Sequence, residues 1–110
     1  MWWTSKKDEL IEITDDGIDK IVYYKQSIIN SIKKLKKISS LDRLFYAMKA
    51  NYNPSILNLI YENGIGFECV SPGEVKHLIK SIPGIDLNRI IFTPNFAPKS
   101  DYIFAIENNL

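Results

Sequence analysis

Apolar and polar positions change their rhythm near residue 40. Before it, Leu10, Ile11 and Ile13 stand among charges between Ser5 and Thr14, which predicts a short amphipathic helix broken by Asp15-Asp16-Gly17. Ile21-Val22-Tyr23-Tyr24 is β-branched and aromatic and predicts a short strand. From Lys25 to Ile38 the spacing becomes helical: Ile28, Ile32 and Leu35 form a stripe that Ile29 and Ile38 widen. Lys33, Lys34, Lys36 and Lys37 fall mostly on the other face and toward the C-terminal end, where cations suit the helix dipole.

After Ser39–Arg43 a regular alternation begins. The apolar run Leu44–Met48 ends in Lys49 and reads as a strand buried on both faces, as in parallel sheets. Asn53-Pro54 opens a helix carrying Ile56, Leu57 and Ile60, closed by Asn63-Gly64. A second strand, Gly66–Val70, leads into Ser71-Pro72-Gly73-Glu74, which has the spacing of a capping box. Val75, Leu78, Ile79 and Ile82 then form a helical stripe ended by Pro83-Gly84. A third strand, Ile90–Thr93, passes through Pro94–Ala97 into a helix from about Pro98 to Asn108. Strand and helix thus alternate three times, the signature of βαβ units and a parallel sheet. A (β/α)8 barrel takes about 250 residues. The expectation is therefore an α/β fold forming the N-terminal portion of a TIM barrel, incomplete after about three βα units, with residues 1–40 as a lead-in and residues 41–110 as the first barrel units.

Composition narrows the function classes. The 110 residues carry a formal net charge of +1, so no large field is available to recruit nucleic acid or a membrane surface, and the lysines of residues 33–37 read as a solvated helix face. A single cysteine, Cys69, excludes an intrachain disulfide and reads as a small buried hydrophobe. The N-terminus turns charged where a signal peptide needs an apolar segment, and no apolar run approaches the ~20 residues that span a bilayer, so a soluble cytoplasmic protein is expected.

The chemistry gathers at the strand ends, the active end of such barrels. Lys49 closes the first strand, where its ammonium either leaves the sheet for solvent or becomes a covalent handle for a carbonyl cofactor. Glu68, on the next strand, either tunes that amine or merely satisfies it as an ion pair. Thr93-Pro94-Asn95 ends the third strand. His77 reads as a lone surface histidine, and Tyr46 and Phe92 fit the barrel interior or its packing layer. No metal is called for.

Three ordered blocks carry a resemblance. Tyr46-Ala47-Met48-Lys49-Ala50-Asn51, Gly66–Glu74 and Ile91–Pro98 resemble the first conserved blocks of the pyridoxal-phosphate-dependent decarboxylases with an alanine-racemase-like barrel, the group of diaminopimelate, ornithine and biosynthetic arginine decarboxylases. The last two blocks, with Trp2-Trp3 and Asp42–Tyr46, are most similar to the diaminopimelate decarboxylase half of proteins fused to aspartate kinase. The resemblance implies pyridoxal 5'-phosphate as cofactor, Lys49 as the internal aldimine lysine, and Glu68 and Glu74 lining the cofactor site. Many relatives carry aspartate at the position of Glu68, and Glu74 also has a full explanation as a capping residue. The implied reaction is decarboxylation of a small amino acid, with diaminopimelate as leading substrate, by an enzyme that is a homodimer at full length. The phosphate loop, ring-nitrogen carboxylate and stacking histidine of the family have no counterpart in these residues, so the expectation is a chain inactive by itself. A non-catalytic relative, an ornithine or arginine decarboxylase, and a racemase are the alternatives.

Overall fold

The computed structural model describes residues 1–110 and places, in order, helices α1 (Trp2–Ser5), α2 (Lys7–Ile13) and α3 (Lys25–Lys36), strand β1 (Phe45–Ala47), α4 (Pro54–Glu62), β2 (Gly66–Cys69), α5 (Pro72–Ser81), β3 (Ile90–Phe92) and α6 (Lys99–Glu107). Two 3₁₀ turns adjoin the outer strands, Met48–Ala50 directly after β1 and Leu87–Arg89 directly before β3. Two compact units result, Met1–Ile38 and Ser39–Leu110.

In the first unit the amphipathic segment forms as expected, divided at Lys6, whose ammonium pairs with Glu9 at 2.6 Å. The strand expected at Ile21–Tyr24 does not form. These residues join no strand, and Ile21 is 83% exposed. β-propensity describes fit to a pleated, half-buried surface, and no neighbouring strand supplies one. Tyr24 instead stacks on Trp2, ring centroids 4.8 Å apart. The lysine-rich helix α3 forms over the expected residues.

The second unit is the parallel α/β arrangement that the alternation predicts, with strand order β1-β2-β3. The register pairs Tyr46 with Phe67 and Phe67 with Ile90, and sets Ala47, Glu68 and Ile91 in one row. Side chains alternate across a strand, so these two rows face opposite sides. The first row packs under the helices: Phe67, Cys69, Leu57, Val75 and Leu78 are fully buried, and Met48 joins them. The second row, with Ile91 exposed and Ala47 and Glu68 half-buried, lies on the open side. The first strand is therefore not buried on both faces. Tyr46 and Phe92 belong to the helix-covered layer, Tyr46 meeting Phe67 edge to face at 6.5 Å.

Local signals set the ends of the elements. Asn53 Oδ1 accepts from the Ser55 N–H at 2.9 Å to cap α4, and Gly64 takes φ +76° past its end. Arg89 closes that end: its guanidinium donates to the carbonyls of Tyr61 at 2.9 Å and Ile65 at 2.7 Å, and lies 3.8 Å from the Tyr61 ring centroid. Ile79 falls outside the buried stripe of α5, because that helix buries only the narrower line through Val75, Leu78 and the following Ile82.

Gly66 is the tightest position of the sheet. A Cβ there would stand 2.6 Å from the Phe45 ring and 2.7 Å from the Arg89 carbonyl oxygen, and the carbonyl is backbone that cannot swing aside. Gly66→Ala should therefore cost about 1–3 kcal/mol, the usual penalty of overpacking. Urea melts check this; an unchanged midpoint would show that β1 and β3 can separate locally.

Candidate functional site

The three strands run parallel, so their C-terminal ends share one edge of the sheet, and the sequence-predicted residues gather there. Lys49 is not the last residue of β1. The strand ends at Ala47, Met48 drops into the buried layer, and the 3₁₀ turn carries Lys49 out to solvent. The burial cost that a lysine inside the sheet would incur does not arise. Lys49 forms no ion pair, in contrast to Lys6, which pairs with Glu9, and Lys20, which pairs with Asp16.

Glu68 sits beside Ala47 in the register, two residues short of Lys49 along β1, and on the open face of the sheet. Its Oε1 accepts from the Thr93 hydroxyl at 2.5 Å, which ties β2 to the end of β3. The carboxylate thus leans toward the third strand, and a hydroxyl rather than the lysine is its partner. Thr93 is a site residue that its strand-end position hinted at, but no sequence spacing reveals a hydroxyl–carboxylate bond across 25 residues.

Glu74 is taken up by the backbone that joins β2 to α5. Ser71 Oγ accepts from the Glu74 N–H at 3.2 Å, one half of the expected capping box. The reciprocal half is shifted by one residue: Glu74 Oε2 accepts from the Val70 N–H at 2.8 Å. One carboxylate oxygen of Glu74 is thereby used to fasten the end of β2 to the start of α5. Asn51 and Tyr46 brace the Lys49 turn from the other side. The Tyr46 hydroxyl donates to the Asn51 carbonyl at 3.2 Å, and Asn51 Oδ1 accepts from the Asn53 N–H at 3.0 Å. His77 is not a lone surface histidine; its Nε2 lies 2.9 Å from the Tyr52 carbonyl oxygen.

A primary amine that is exposed, unpaired and held on a braced turn is what an aldehyde cofactor requires for attachment, since imine formation needs a nitrogen free to react. The groups that share this edge, a free amine on one strand's exit and a carboxylate–hydroxyl pair on the next two strands, fit the carbonyl end of pyridoxal phosphate.

Comparison with known proteins decides the family. The profile described as "Pyridoxal-dependent decarboxylase, pyridoxal binding domain" matches residues 25–110. The chain belongs to the pyridoxal-dependent decarboxylases. Diaminopimelate decarboxylase of Thermoplasma acidophilum is 30% identical over 95 residues, covering 86% of this chain and 23% of that protein. Chloroplastic ornithine decarboxylase of Nicotiana glutinosa is 40% identical over 65 residues, 59% of this chain and 15% of that protein. The crystal structure of Helicobacter pylori diaminopimelate decarboxylase complexed with L-lysine superposes with a TM-score of 0.72 at 28% identity, covering 94% of this chain and 26% of that one. The chain thus spans about a quarter of the diaminopimelate decarboxylases it resembles. The α/β fold read from the alternation is the N-terminal part of their barrel domain.

Cys69 lies beneath this edge, fully buried, with its Sγ 3.9 Å from Met48 Sδ. Burial, followed by the nearby carboxylates of Glu74 and Glu68, pushes its thiol up to about 12 from an ordinary 9.0. Because the folded-state value is raised, the thiol's contribution to stability is complete below about pH 9 and declines as pH rises toward 12. Iodoacetamide should accordingly alkylate Cys69 slowly in the folded protein at pH 8 and rapidly in urea. Fast alkylation without denaturant would mean that the β2–α5 layer opens readily.

Proposed function

We propose that this chain forms the cofactor-lysine segment of a diaminopimelate decarboxylase, which converts meso-diaminopimelate to L-lysine and carbon dioxide. The observation that carries the reading is Lys49: an exposed, unpaired amine at the C-terminal edge of a parallel sheet, within the pyridoxal-binding domain of a decarboxylase family. The diaminopimelate substrate is favoured over ornithine because the Thermoplasma acidophilum diaminopimelate decarboxylase matches 86% of the chain, whereas the ornithine decarboxylase match spans 59% of it.

When bound, pyridoxal phosphate supplies an electron sink for the pair left behind as carbon dioxide departs. The residues of this chain would supply one part of the cofactor's surroundings. Lys49 would provide the nitrogen that holds the cofactor, and as a primary amine it could carry a proton beside it. Glu68, held by the Thr93 hydroxyl, places its carboxylate on the open face of the sheet, beside the strand that leads to Lys49. Glu74 acts on the site indirectly, by fixing the turn that ends β2. The reading carries with it a homodimeric cytoplasmic enzyme; the free, buried state of Cys69 is consistent with a reducing compartment.

Treating the intact protein with pyridoxal phosphate and then borohydride should fix the label on Lys49, and Lys49→Ala should abolish both that label and decarboxylation. Label on a different lysine, or none, would overturn the assignment and leave a non-catalytic relative of the family. Comparing meso-diaminopimelate with ornithine as substrate decides the second part of the reading.

A further inference from the structure

We propose that His77 is a positioning residue for Lys49, acting through the backbone of residues 51–53. This rests on the reading of Lys49 as the cofactor lysine. An exposed lysine on a 3₁₀ turn gains nothing from packing, so its placement depends on whatever holds the chain on either side. Before it stands β1, paired to β2. After it, the backbone leaves the sheet with no secondary structure until Pro54.

Most bonds on that exit are short-range. The Asn51 N–H donates to the Met48 carbonyl at 3.1 Å, the Tyr46 hydroxyl donates to the Asn51 carbonyl, and Asn51 Oδ1 accepts from Asn53. The Tyr46 bond ties Asn51 to β1, and the others lie within residues 48–53 and shape the turn itself. The tie from a separate helix is His77. Its Nε2–H donates to the Tyr52 carbonyl at 2.9 Å, and its ring meets the Tyr52 ring edge-on at 5.7 Å. Tyr52 itself is 67% exposed and cannot anchor the segment by burial. His77 can, because its neighbours on α5, Val75 and Leu78, are fully buried.

The same helix begins at Ser71, where Glu74 grips the end of β2 one residue past Cys69. Helix α5 is therefore the common frame for both sides of the site. Its N-terminus fixes the end of the strand carrying Glu68, and His77, one turn later, fixes the exit from Lys49. Losing the His77 bond would release the second side and leave the first in place.

Hydrogen exchange and cofactor labelling of the intact protein, with His77→Ala and His77→Gln, test this. Loss of one neutral hydrogen bond corresponds to a change of about fivefold. His77→Ala should speed amide exchange at Ala50–Asn53 by about that factor and slow borohydride-trapped labelling of Lys49 by pyridoxal phosphate to a similar degree, while the amides of α5 keep their protection. His77→Gln, which retains an N–H donor of similar reach, should restore both. Loosening that spreads through α5 in both variants, or labelling of Lys49 that ignores His77, would overturn the proposal while leaving the cofactor reading intact. If the unsubstituted protein fails to label Lys49 at all, the cofactor reading falls and takes this proposal with it.

Discussion

The register of β2 is the constraint on which the rest of the second unit depends. Its four residues put Phe67 and Cys69 under the helices and Glu68 on the opposite, open face. Because the side-chain period of a strand is two, a slip of one residue would drive a carboxylate into the fully buried layer and push a phenylalanine into water. Gly66 tightens the same constraint by steric means. The Phe45 ring and the Arg89 carbonyl close on it so nearly that only a residue without a side chain lets both outer strands approach. Hydrophobic burial on one face and close contact at one glycine thus decide together where Glu68 stands relative to β1 and β3.

The C-terminal edge of this sheet is built so that little of its chemistry needs to be buried. Lys49 leaves the strand before it would have to be desolvated, and Met48, the residue before it, takes the buried position instead. Glu68 finds a hydroxyl partner and stays half-exposed. The turns that carry these groups are secured by inexpensive local devices: Asn53 with Pro54, Ser71 with Pro72, and a glutamate that reaches back to the strand it follows. Helix α5 starts almost directly after β2, a short, stiff connection that suits a site whose parts come from successive strands.

The parallel α/β alternation, the helix caps and the decarboxylase family were all legible in the sequence, because each rests on local periodicity or on residues close together in the chain. The Ile21–Tyr24 strand was a false signal for the complementary reason: strand formation needs a partner, and propensity cannot supply one. The placement of Lys49 in a turn was missed because an apolar run does not show where hydrogen bonding to its neighbour stops.

What the amino-acid sequence determined by itself was the identity of the chemical groups and the order in which strands and helices carry them. Tertiary structure decided how those groups are held. Glu68 is joined to Thr93, His77 to Tyr52, and Arg89 to the end of α4, over separations of 24 to 28 residues. Such bonds have no periodicity and often use a backbone carbonyl, which every residue possesses. They exist only once parallel pairing has brought the strand ends to one edge, and that edge is where Lys49 acquires its surroundings.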